Sequence, residues 1–193
     1  MAGDRLARVL ARIDELNSQD PHREAGRPHE LLDAERVTQW VLHLNPAAPD
    51  ALRIAARGQH VCRWTIPRDQ YPRNRQGYLK WREVLKQFHA KKVGELMEDA
   101  GYAADEIARV QAIMSKRLLP GDADTQTLED ALCLVFLEHE FADMRRKTAE
   151  ETFLGIVRKT WAKMSPQAKA EVGTLSFSPE DRAVLERALQ ENG

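Results

Sequence analysis

Apolar residues recur every three to four positions along most of this chain, which is the periodicity of helices buried on one face. Leu6, Val9, Leu10, Ile13 and Leu16 form a first stripe, with Asp4 placed to cap it, and a loop from Asn17 to Arg27 follows. A second helix is predicted from His29 to Leu44, with Leu32, Val37, Trp40, Val41 and Leu44 inward. Asn45-Pro-Ala-Ala-Pro-Asp50 breaks it, and Asp50 can cap a third helix over residues 51–64. Beyond a loop held by Pro67 and Pro72, a long fourth helix runs from Tyr78 to Ala100 and stops at Gly101. A fifth carries Ile107, Val110, Ile113 and Met114, and a sixth, TLEDALCLVFLEHEF, is apolar nearly all round and therefore central. A further helix carries Phe153, Ile156, Val157, Trp161 and Met164, and the pairs Ser165-Pro166 and Ser178-Pro179 each read as a helix start. No segment reads as a strand. The pattern predicts an all-α fold in one domain over residues 1–193, with a core at about 29–141 and a C-terminal helical extension at about 148–193.

Composition narrows the setting. A chain of 193 residues buries an ordinary core without staples, and Cys62 and Cys133 fall in apolar helical stretches as free thiols of a reducing compartment. The N-terminal segment has no continuous apolar run, and no stretch approaches the roughly 18 apolar residues of a membrane span, so a cytoplasmic location is expected. The net charge of −1 hides an asymmetry: residues 57–92 hold ten Lys/Arg against Asp69 and Glu83, a local +8 that leaves −9 for the remainder. Such a local field suits an anionic ligand.

Three polar residues on three predicted helices point inward. His60 lies four residues after Ala56 and eight after Leu52; His89 falls between Leu85 and Val93; Asp130 is one turn before Leu134. A buried carboxylate needs a partner, so the set reads as mutually satisfied or as ligands for a divalent ion (Mn, Fe, Zn or Mg). Each also has a plainer reading. An inward histidine is often a hydrogen-bonded core residue, and Thr127-Leu-Glu-Asp130 has the form of a capping box. Beside His60, the run RWTIPRDQYPRNRQGYLKWREVLK interleaves Arg63, Arg68 and Arg75 with Trp64, Tyr71, Tyr78 and Trp81. Guanidinium groups match phosphate and aromatic rings stack on bases, so this run is a candidate clamp for a phosphorylated metabolite, a nucleotide or RNA. The plainer alternative is a solvated basic face whose aromatics pack on the core.

The order of these segments resembles the HD-domain superfamily of helical metal-dependent phosphohydrolases. ALRIAARGQHVCRW is similar to its second-ligand helix, QFHAKKVGELMEDAGYAADEIARVQAIMSKR to its next helix pair, and TQTLEDALCL to the helix supplying its last aspartate. The resemblance implies an HD-like helical bundle, a metal held by His60, His89 and Asp130, and phosphoryl contacts from Arg63, Arg68 and Arg75. Departures accompany it: Val61 stands where the superfamily has its namesake aspartate, and Lys116 or Arg117 replaces a histidine. The first histidine is also absent, leaving His29, Asp33 or Glu35 in its place. The run from His60 through Arg63-Trp64, Ile66-Pro67-Arg68, Tyr71-Pro72, Arg75 and Gly77-Tyr78 to Trp81-Arg82 also resembles an uncharacterised family, a domain of unknown function. The functional expectation is a phosphohydrolase; the alternatives are a non-catalytic nucleotide- or RNA-binding module and a helical protein-interaction domain.

Overall fold

The computed structural model describes residues 2–190, and their regular structure is ten α-helices plus one small hairpin. The all-α expectation therefore holds, and no described helix is long and apolar enough to cross a membrane. Two compact units divide the chain, residues 1–128 and 129–193.

The first unit contains α1 (Ala2–Asn17), α2 (His29–Leu44), α3 (Asp50–Gly58), α4 (Arg75–Asp99) and α5 (Ala104–Met114). The sixth helix, α6 (Ala123–Val135), contributes residues 123–128 to this unit and the rest to the second. Ile13, Val37, Val41, Leu52, Ile54, Val93, Val110 and Ile113 form the core of the first unit, each at most 1% exposed. Between α1 and α2 lies an antiparallel hairpin the apolar pattern does not reveal, β1 (Arg23–Glu24) with β2 (Arg27–Pro28). Ala25 and Gly26 turn it with φ of 49° and 80°, the left-handed geometry of a tight hairpin turn. Asp20, fully buried, starts α2 from a distance: its Oδ2 accepts the Glu30 amide at 3.0 Å. In α2 the inward positions are Glu30, Asp33, Ala34, Val37, Val41 and Leu44, so two acids face inward while Leu32 and Trp40, expected there, are only half-buried.

Three boundaries shift from the sequence reading, each at an identifiable hydrogen bond or backbone turn. The third helix ends at Gly58 instead of continuing to Trp64, because Cys62 takes φ 54° and a 3-10 turn follows at Arg63–Thr65. Asn17, fully buried, secures that turn by accepting the Cys62 amide at 3.1 Å. The fourth helix starts three residues early, at Arg75, where Asn74 caps it by accepting the Gly77 amide at 2.8 Å. The sixth begins at Ala123, capped by Asp122, whose Oδ1 takes the Thr125 amide at 2.8 Å. Thr127 consequently lies inside α6, its hydroxyl on the Ala123 carbonyl at 2.9 Å, and the capping-box reading of Thr127–Asp130 fails. Asp4, likewise, is in the first turn of α1 rather than before it.

In the second unit, α6 runs into a π-helical turn, Phe136–Glu140, and then α7 (Phe141–Lys147). Helices α8 (Glu150–Lys163), α9 (Pro166–Glu171) and α10 (Pro179–Gln190) complete it. The Phe141 ring meets Phe153 edge-on at 4.9 Å and Phe177 at 5.4 Å. Both serine caps form as expected, Ser165 Oγ accepting the Ala168 amide at 3.2 Å and Ser178 Oγ that of Asp181 at 3.0 Å. Cys62 and Cys133 are free and buried.

Helices α3 and α4 approach closely next to the candidate site. A Cβ at Gly58 would fall 2.4 Å from Val93 Cγ2, so α3 and α4 touch there through a bare backbone. Gly58→Ala should therefore cost about 1–3 kcal/mol through overpacking, despite the better helix propensity of alanine. Urea unfolding of the variant would check this; equal or greater stability would show that α3 and α4 separate without cost.

Candidate functional site

The turn that ends α3 places His60 and the Val61 carbonyl toward the middle of α4. His60 Nδ1 lies 2.8 Å from Asp33 Oδ2 on α2, and His89 Nδ1 lies 2.9 Å from the Val61 carbonyl oxygen. The carbonyl can only accept, so His89 carries its proton on Nδ1 and leaves a lone pair on Nε2. His89 is 4% exposed and that Nε2 has no hydrogen-bond partner among the described residues. The two rings stand 5.9 Å apart between centroids. Position 61, where the resemblance calls for an acid, thus serves His89 through its backbone while the valine side chain is fully buried.

Glu30 joins this group. One ligand atom from each of Glu30, Asp33 and His60 lies within 4.8 Å of the others, and both acids are buried. Glu30 and Asp33 are three residues apart on α2 and share a face. Arg63 Nε approaches Glu30 Oε1 at 4.0 Å, and its guanidinium lies 5.2 Å from the Trp81 ring. His60 and His89 also line a cleft of about 240 Å³, whose other walls include Arg63, Leu79, Arg82, Lys86 and Lys116. Lys86 is partly compensated by Glu83 at 2.6 Å.

The cleft sets the protonation of its groups. Burial holds His89 down to about 3, helped by the neighbouring His60 and Arg63 and only partly opposed by the Val61 carbonyl. Burial also lowers His60, against the pull of its Asp33 hydrogen bond, with Arg63 adding to the depression. Asp33 is pushed up by burial, but the contact with His60 outweighs this and leaves its carboxyl below the usual range. Near neutral pH the pair is therefore an anionic Asp33 beside a neutral His60.

Of the residues singled out by sequence, His60, His89 and Arg63 come together. Of the three substitutes for the absent histidine, Asp33 occupies the site: His29 pairs with Glu24 at 3.1 Å, and Glu35 with Arg27 at 2.8 Å. Arg68 turns back on its own loop, donating to the carbonyls of Tyr71 and Pro72, both at 2.8 Å, so its guanidinium staples the loop. Arg75 is exposed in the first turn of α4. Asp130 accepts the Ser165 amide at 2.8 Å within the second unit, securing the start of α9. Glu30 escaped the sequence reading, although its place three residues before Asp33 and seven before Val37 marks the inward face.

The depressed His89 links stability to pH. The unfolded chain takes up this proton below about 6.5 while the folded chain refuses it until about 3, so stability is full above 6.5 and falls as pH drops. Between pH 6.5 and 5 this group should remove about 2 kcal/mol. Denaturant titrations of the wild type and His89→Gln should differ in pH slope by that amount; parallel slopes would mean that His89 accepts a proton in the folded state.

No curated protein and no solved structure matches the chain. A family model does, over residues 7–185, which include the cleft, the basic run and most of the second unit. Its description is Domain of unknown function (DUF4202), and the chain belongs to that family.

Proposed function

We propose that the protein is a metal-dependent phosphohydrolase acting on a nucleotide or a small phosphorylated metabolite. The observation that carries this reading is the Glu30–Asp33–His60 cluster beside a cleft lined by Arg63, Arg82, Lys86 and Lys116. Two carboxylates and an imidazole suit Mn, Fe, Zn or Mg. The resemblance of segment order to the HD superfamily points the same way. Asp130, engaged with Ser165, is left out of the ligand set.

A divalent ion supplies Lewis acidity and lowers the pKa of bound water. The chain's own residues do the rest. Arg63 and Arg82 orient phosphoryl oxygens and offset their charge, with Lys86 and Lys116 adding to the field. His89 is too weak a base to keep a proton at neutral pH; its Nε2 lone pair serves as an acceptor that aligns a hydroxyl or water against the phosphoryl group.

Two measurements on one set of variants test the reading. Manganese should raise the thermal midpoint of the wild type, with about 2.7 kcal/mol of stabilisation at 100 times Kd. Asp33→Asn and His60→Gln should abolish that rise and reduce phosphate release from a nucleotide panel by at least about 100-fold. A wild type with neither a manganese-dependent rise nor turnover would overturn the proposal. The same substitutions would then register only as lost stability, about 1–3 kcal/mol for unmet buried polar groups.

A further inference from the structure

One face of α4 leads from open surface to the histidine cleft. Arg75, Tyr78, Leu79, Arg82 and Lys86 recur at helical spacing and so line one side of the helix, over about 17 Å at 1.5 Å per residue. Tyr78 and Leu79 are 43% and 55% exposed, the two most exposed large apolar side chains among the described residues. The Tyr78 ring is flanked by cations: the Arg82 guanidinium lies 5.9 Å from its centroid and donates to its hydroxyl at 3.2 Å, and that of Arg68 lies 6.0 Å away. Arg73 and Arg75, both exposed, make no ion pair among the described residues. Leu79, Arg82 and Lys86 belong to the cleft wall as well, so the stripe and the cleft are continuous.

We propose that this face of α4 binds single-stranded nucleic acid, with a base stacked on Tyr78 and the backbone following Arg75 and Arg82 toward the His60–His89 cleft. Three features select this partner. An exposed aromatic ring offers a base a stacking platform, and the guanidinium groups near it can meet the phosphates. The stripe is one helix wide, about 10 Å, which fits a single strand rather than a plane. The rest of the chain carries −9, which repels a broad anionic surface such as a membrane, while Arg73, Arg75 and Arg82 stand outside the ion pairs that tie up Arg57, Lys86, Lys91 and Lys92 and are open to a narrow polyanion. Binding here needs neither metal nor turnover and does not depend on the hydrolase reading.

The test is fluorescence anisotropy of a labelled oligouridylate decamer with the full chain, in EDTA and at several salt concentrations. Tyr78→Ala should weaken binding by at least about fivefold through lost stacking, whereas Tyr78→Phe should stay within about twofold. Arg75→Ala should reduce the slope of log K against log salt by about 0.7, the value for one contact to a single strand. A duplex of equal length should bind less tightly than the single strand. Absence of oligonucleotide binding at low salt, or equal binding by Tyr78→Ala, would overturn the proposal. So would preferential binding of phosphatidylserine vesicles, lost in Tyr78→Ala, which would make the face a membrane contact. The manganese-dependent rise in midpoint, measured on the same Tyr78→Ala protein, reports the hydrolase site separately.

Discussion

The spacing between α3 and α4 at Gly58 governs the geometry above it. With no side chain at this position, Val93 seats directly on the α3 backbone, and the next turn of chain carries His60 and Val61 across the middle of α4. His60 and His89 face each other at 5.9 Å as a consequence, and the Val61 carbonyl falls within reach of His89 Nδ1. The turn itself depends on Asn17, whose side chain meets the Cys62 amide where the backbone is left-handed. A residue at the end of α1 thus secures the turn after α3, which lines the cleft together with α4 and the end of α5.

Electrostatics then differentiates the two histidines. Both are held neutral by burial and by nearby guanidinium charge, yet their partners differ. His60 donates to a carboxylate, which raises its basicity and ties it to the acids of α2; His89 donates to a neutral carbonyl and remains a poor base. The buried acids Glu30 and Asp33 lie next to His60 on one side, while Arg63, Arg82 and Lys86 line the cleft on the other. That gradient is what a cation with an anionic substrate would find complementary.

The basic run, uniform in sequence, separates into distinct tasks in space. Arg68 closes its own loop on backbone carbonyls, Arg63 bridges toward Glu30 beside Trp81, and Arg82 braces Tyr78. Trp81 is a core residue whose indole donates to the Ile66 carbonyl at 2.9 Å, so the plainer reading of the aromatics holds for it and not for Tyr78, which is exposed. Charge density along the chain identified the neighbourhood; hydrogen bonding decided which cations remain available.

By itself the sequence determined the helical class, the inward course of His89 and the serine caps at Ser165 and Ser178, because these follow from local periodicity and short-range hydrogen bonding. It also marked the basic segment beside His60. Only the tertiary structure decided the end of α3 and the membership of the site. Those turned on Asn17 reaching Cys62 and on Asp33, rather than His29 or Glu35, meeting His60 across 27 residues of chain. Periodicity shows which face of a helix is buried. It does not show which buried face it meets, and a site assembled from α2, the turn after α3 and α4 exists only once those faces have paired.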